Sequence, residues 1–149
     1  MELETVKSDL AGLFQTQRLG VLATQAGGQP YTSLVAFSSS DDLKSLLFVT
    51  GRATRKYGNI KKDPRVALLV DNRSNEAVDF RQSIAVTATG KVTEVERHEA
   101  RGLVRAYLAK NPHLEEFISS PTCALLRIRV EKYYLVRRFQ NVVEIHVKS

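Results

Sequence analysis

Cysteine is almost absent: Cys123 is the only one in 149 residues. No intrachain disulfide can form, and a cysteine-based zinc site is excluded. No apolar run approaches the roughly 20 residues of a membrane span. The opening Met1-Glu2-Leu3-Glu4 lacks the basic and apolar regions of a signal peptide, so a cytoplasmic protein is expected. Nucleotide-loop signatures of the GxGxxG and P-loop types are missing, as are HExxH and Ser–His–Asp patterns. There is no internal repeat, no low-complexity segment and no linker, so one domain is expected over residues 1–149. Acidic residues are the scarcer charge, 16 against 22 Lys and Arg, which leaves a net charge of +6. That excess admits nucleic acid, an anionic small molecule, or a basic surface without a partner. No long basic tail and no RNP-type aromatic signature is present, which disfavours nucleic acid.

What is present is ordinary globular material, 43% hydrophobic and 26% charged. A chain of this size buries roughly 70% of its unfolded surface. Val6, Leu10, Leu13 and Phe14 recur at helical spacing and predict an opening helix. Val21–Thr24 and Tyr31–Ser38 read as strands around a Gly27-Gly28-Gln29-Pro30 turn, and Ser45–Thr50 as a third strand. Ala53–Lys62 turns helical with Thr54 as its cap, and Asp63-Pro64 ends it. Arg65–Val70 and Ser83–Val95 are strands, with Gly90 marking a bend or bulge. Glu96–Lys110 is the clearest helix, and Asn111-Pro112 separates it from a short second one. Ala124–Val130 alternates as a strand, and Tyr133–Phe139 with Val142–Val147 reads as a hairpin. Sequential strands without βαβ alternation predict a mainly β fold: a six-to-eight-stranded antiparallel split β-barrel with short peripheral helices.

The segment Phe48–Tyr57 carries the strongest chemical signal. A strand ends at Thr50, a glycine loop follows, and a helix opens with Thr54, Arg55 and Lys56. Helix N-termini offer unpaired N–H groups and a positive dipole end. Cations there oppose the dipole, at about 0.3–1 kcal/mol each, and a bound anion would remove that cost. The alternative is an ordinary capped helix facing solvent.

This segment, followed by Asp63-Pro64-Arg65-Val66-Ala67-Leu68-Leu69, resembles the pyridoxamine 5′-phosphate oxidase-like flavoproteins. Leu22-Ala23-Thr24, Gly28–Val35 and Gly90-Lys91-Val92-Thr93 extend the resemblance over roughly Leu19 to Val136. It implies the FMN-binding split barrel, a flavin at a homodimer interface, and oxidoreductase chemistry on a small molecule. It places Thr50 beside the ribityl-phosphate arm, Thr54, Arg55 and Lys56 on the phosphate, and the backbone of Ser33, Leu34, Val35 and Ala36 along the ring, with Val49 as a further cofactor-binding residue. Tyr133 and Arg138 are the candidates for the partner subunit's contribution. The family's C-terminal arginine–histidine element is missing from Val136-Arg137-Arg138-Phe139, so vitamin B6 phosphate oxidation is not expected. Relatives that handle haem or use the deazaflavin F420 keep those cofactors open as alternatives, as they keep open a binding protein without turnover. His146 is the haem-ligand candidate, while His98 and His113 read as surface or turn residues and Cys123 as packing. No metal site is expected.

Overall fold

In the computed structural model, which describes residues 3–148, seven antiparallel strands and five helices follow one another. Helix α1 (Leu3–Thr16) leads into β1 (Leu19–Ala26), β2 (Gln29–Ser39) and β3 (Ser45–Gly51). Helix α2 (Arg55–Lys62), β4 (Arg65–Asp71), the single turn α3 (Asp79–Gln82) and β5 (Ile84–Val95) come next. A 3₁₀ turn at Arg97–Ala100 opens α4 (Arg101–Lys110), and a second at Pro112–Leu114 precedes α5 (Glu115–Ser119). The chain ends in β6 (Cys123–Arg137) and β7 (Asn141–His146).

The strands neighbour one another in the order β3-β2-β1-β4-β5-β6-β7, and β3 pairs again with β6. That pairing closes β1–β6 into a six-stranded barrel, with β7 lying outside on β6. The expected split barrel is therefore the observed one. Gly27 and Gly28 take φ of +61° and +83°, the left-handed values a two-residue hairpin turn demands. The turn fixes Ala26 opposite Gln29 and with it the register of β1 and β2.

Leu22, Phe37, Leu46, Phe48, Leu68, Val86, Leu126 and Ile128 fill the barrel and are all buried. The α1 stripe closes one end. Val6, Leu10, Leu13 and Phe14 are buried, and Phe14 meets Phe37 edge-on with centroids 5.7 Å apart. Such a pair adds about 0.5–1.5 kcal/mol beyond its burial. A second apolar cluster lies outside the barrel. There Leu103, Val104, Tyr107 and Ile118 of α4 and α5 cover Leu47 and Val49 of β3 and Val95 of β5. No helix among the described residues is long and apolar enough to cross a membrane.

Strand β6 departs from expectation. It is one strand of 15 residues, and its pairing with β5 slips at Thr89/Gly90. Val130 faces Gly90 and Lys132 faces Thr89, so Glu131 is the extra, bulged residue. A Cβ on Gly90 would stand 2.1 Å from the Arg129 carbonyl oxygen, which is why glycine sits there. The bulge reverses which side chains point inward. Ala124, Leu126, Ile128 and Val130 face the core before it, Tyr133 and Leu135 after it.

Tyr133 is therefore corrected from a cofactor contact to a core residue. It is 1% exposed, and its hydroxyl donates to the Leu43 carbonyl at 2.6 Å. Leu43 holds φ +62°, so the tyrosine pins a strained turn between β2 and β3. Burial, then the charge of Asp42, pushes the Tyr133 phenol above its ordinary range. Arg138 is not on a strand. It opens the exposed turn between β6 and β7, with φ +53°.

Candidate cofactor cleft

Strand β3 ends beside the N-terminus of α2, and a threonine pair fixes that corner. Thr54 takes an extended cap conformation, φ −84° and ψ 156°, and its hydroxyl accepts the Tyr57 N–H at 3.3 Å. The same hydroxyl donates to the Gly51 carbonyl at 2.9 Å. With that proton committed, buried Thr50 donates to Thr54 across 2.9 Å. Helical geometry leaves the N–H groups of Arg55 and Lys56 without intrahelical acceptors. The first turn of α2 holds no acid to answer the dipole.

Lys56 and Arg55 leave the helix in different directions, as neighbours on a helix must. Lys56 lines a cleft of about 660 Å³. Arg55 lines an adjoining groove, its guanidinium 5.6 Å from the Tyr31 ring centroid. Arg52 is spoken for. It meets Glu94 at 2.6 Å and the Tyr57 hydroxyl at 3.0 Å, and Tyr57 donates to Glu94 at 2.7 Å. Burial works against ionised Glu94, but the bonds from Tyr57 and Arg52 outweigh it and hold its pKa below the ordinary value.

One wall of the cleft is Leu34, Val35 and Ala36 of β2 with Val49, Thr50 and Gly51 of β3. The other comes from the helical side: Tyr107, Asn111, His113, Leu114 and Phe117. Arg18 and Leu19, where α1 hands over to β1, complete it. The second outer cluster positions the helical wall, because Tyr107 and Ile118 anchor α4 and α5 on β3. Buried Asn111 donates to the Tyr107 carbonyl at 3.2 Å and holds the break between the helices. Burial pushes the Tyr107 phenol up to about 12, with the nearby Cys123 adding to it. Arg18, Lys56 and His113 line the cleft, and no carboxylate among the described residues does. An apolar slot with cations and no acids suits a flat molecule carrying negative charge. Helix N–H groups and Lys56 at one end match a phosphate, with the threonine pair fixing the corner that presents them.

The sequence model of the family described as pyridoxamine 5′-phosphate oxidase matches residues 6–137. The chain belongs to the pyridoxamine 5′-phosphate oxidase family. Among solved structures, a haem-binding protein from Mycobacterium smegmatis is similar at 19% identity and a TM-score of 0.80, over 94% of this chain and 57% of that one. ChuZ of Campylobacter jejuni is similar at 14% identity and a TM-score of 0.81, over 98% of this chain and 61% of that one. An FAD-binding protein from Mesorhizobium loti shares 20% identity and a TM-score of 0.68, over 86% and 90%. The chain thus spans about three-fifths of the length of the first two. At these identities the likeness is one of fold. No curated protein matches the sequence.

Within this family member the cleft gathers Leu34, Val35, Ala36, Val49, Thr50, Thr54 and Lys56 from the sequence-predicted set. Ser33 and Arg55 do not line it: Arg55 lines the other groove, and the Ser33 hydroxyl is buried without a partner among the described residues. Tyr133 and Arg138 lie elsewhere. The helical wall was not legible in the sequence. His113 reads there as a turn residue, and the structure places it on the 3₁₀ turn Pro112–Leu114, lining the cleft. His146, the haem candidate, sits on β7 beside Glu144 at 3.1 Å, away from the cleft.

Proposed function

We propose that this chain binds FMN in the cleft and serves as an oxidoreductase on a small molecule. The observation that carries this reading is the joining of a phosphate-suited helix N-terminus, at Thr54 and Lys56, to an apolar slot between β2, β3 and α5. The phosphate would take the free N–H groups of α2 and the Lys56 ammonium. The ring would lie along the backbone of Val35 and Ala36, whose peptide groups can read a uracil-like edge whatever the side chains. The flavin supplies the electron chemistry when bound. This chain's residues hold it, keep water from one face and admit the substrate.

Leu34 is 67% exposed and Phe117 39% on the rim of the cleft, and Leu19 beside them is 54% exposed. Apolar groups of that size at the mouth support a second copy of the chain covering the site, in a homodimer. The test is reconstitution with FMN, F420 and haem in turn, followed by absorbance and by the mass of the released cofactor. Tight FMN binding, weakened in Lys56→Ala, is expected. A protein that binds none of the three removes the reading.

Haem is the second reading, favoured by one observation: His113 faces the cleft, where His146 does not. A Soret band that disappears in His113→Ala and persists in His146→Ala would put haem first.

A further inference from the structure

A second charged cavity lies on β6, well away from the cofactor cleft. Residues in register across four strands form one row: Arg65 on β4, Lys91 on β5, Arg129 on β6 and Ser45 on β3. Arg65 has its own acid, Asp63, at 2.7 Å. Lys91 and Arg129 have no ion pair or side-chain hydrogen bond among the described residues. Like charges directly opposite on paired strands repel and destabilise the sheet.

The β-bulge adds two more cations. Val130 N–H donates to the Lys44 carbonyl at 3.0 Å, which holds Lys44 beside Arg129. Val147 N–H donates to the Glu131 carbonyl at 2.9 Å, which carries the chain past β7 and sets Lys148 at the same place. Lys44, Lys91, Arg129 and Lys148 then line one cavity of about 260 Å³, with Glu131 as the single acid among the described residues. No residue lines both this cavity and the cofactor cleft. Strand β3 runs between them: Thr50 borders the cleft and Ser45 the cavity, roughly 17 Å apart along the strand.

We infer that this cavity is a binding site for a compact, multiply charged phosphate compound, of the size of a diphosphate or a small phosphate ester. Three lysines supply point charges and Arg129 a planar fork suited to two oxygens of one phosphate group. Four cations against one carboxylate favour a ligand with more than one negative charge. The small volume favours a compact one over a polymer. Binding would also relieve the opposition of Lys91 and Arg129, so occupancy should stabilise the barrel.

The test uses pyrophosphate as the probe, with ionic strength held constant by chloride. Calorimetric titration and melting are compared for the full chain, for Lys56→Gln and for the Lys91→Gln/Arg129→Gln pair. The Lys56→Gln protein, weakened at its other phosphate-suited site, should still bind pyrophosphate and melt higher with it. The double variant should bind at least tenfold more weakly and, at low salt without pyrophosphate, melt higher than the parent. Glu131→Gln should bind several-fold more tightly, a gain that misfolding cannot imitate. The inference fails if pyrophosphate does not bind, or if chloride at equal ionic strength gives the same stabilisation. It fails equally if the double variant binds like the parent while Lys56→Gln does not, or if a nucleic acid strand displaces pyrophosphate and proves the tighter ligand by the same residues.

Discussion

Arg18 and Lys110 close each other's helices. Arg18 donates from Nη1 to the Lys110 carbonyl at the end of α4, at 3.2 Å. Lys110 reaches back from Nζ to the Phe14 carbonyl near the end of α1, at 2.8 Å. Both are cations at helix C-termini, where the dipole favours them. The exchange ties α1 to α4 at one end of the candidate cofactor cleft, and Arg18 lines that cleft as well.

Lys110 is held over the Phe37 ring, its Nζ 3.6 Å from the centroid. Burial, and then the neighbouring Arg18, lowers its pKa from 10.5 to about 8. Between pH 8 and 10.5 the unfolded chain therefore binds a proton that the folded chain does not. Stability from this residue rises with pH through that window, and its burial penalty is fully present below it. Buried Tyr107 and Tyr133, raised in pKa, act with the opposite sign near pH 10 and above. Urea unfolding of the parent and of Lys110→Met across the window separates the two, and the Lys110 gain should vanish in the variant.

Tyr133→Phe should destabilise the barrel by about 1–3 kcal/mol, because the Leu43 carbonyl loses its buried donor. Cofactor affinity should not move. A change in the cofactor's absorbance spectrum or dissociation constant on this substitution would put the residue back at the site.

Thr54→Ala should cost about 1–2 kcal/mol of stability even without cofactor, since it removes the α2 cap and the partner of the Thr50 hydroxyl. Thr54→Ser should recover most of it. Chemical unfolding of both variants decides.

Lys56→Ala should weaken FMN binding by about 1.5–3 kcal/mol, the scale of one hydrogen bond to a charged group. Arg55→Ala should weaken it less, because Arg55 lies over Tyr31 and must leave that ring to reach the cleft. Fluorescence titration ranks the two, and the reverse order would mean that the Arg55 side of α2 holds the phosphate.

Asp63 joins α2 to β4, accepting from Arg65 and from Gln25. The Arg65 guanidinium and N–H hold its pKa at about 2, against 3.8 when unfolded. This contribution is complete above pH 3.8 and is lost as pH falls toward 2. The acid limb of the stability curve should flatten in Asp63→Asn, measured by circular dichroism.

Much of this protein is written in local patterns. The spacing of Val6, Leu10, Leu13 and Phe14 makes α1 amphipathic whatever surrounds it. Gly27-Gly28 forms a hairpin turn because other residues resist two successive positive φ values. Thr54 caps α2 within its own turn, and Pro64 sets the limit of that helix. These interactions span a few residues, so the sequence by itself determined most of the elements, the antiparallel order of neighbouring strands and the capped start of α2.

Other features depend on residues far apart in the chain. Tyr133 has the parity of outward-facing Arg129 until the bulge at Glu131 reverses it, and that bulge exists because β5 offers Gly90 opposite. Arg52 looks free in the sequence but meets Glu94, 42 residues on. His113 joins the cleft because Tyr107 and Ile118 bury themselves against β3. Like charges from β5 and β6 meet at Lys91 and Arg129 through strand register alone. Periodicity records which face of an element is apolar. Only the tertiary structure decided which element that face meets, because that choice is made by packing across the closed barrel and its helical cover.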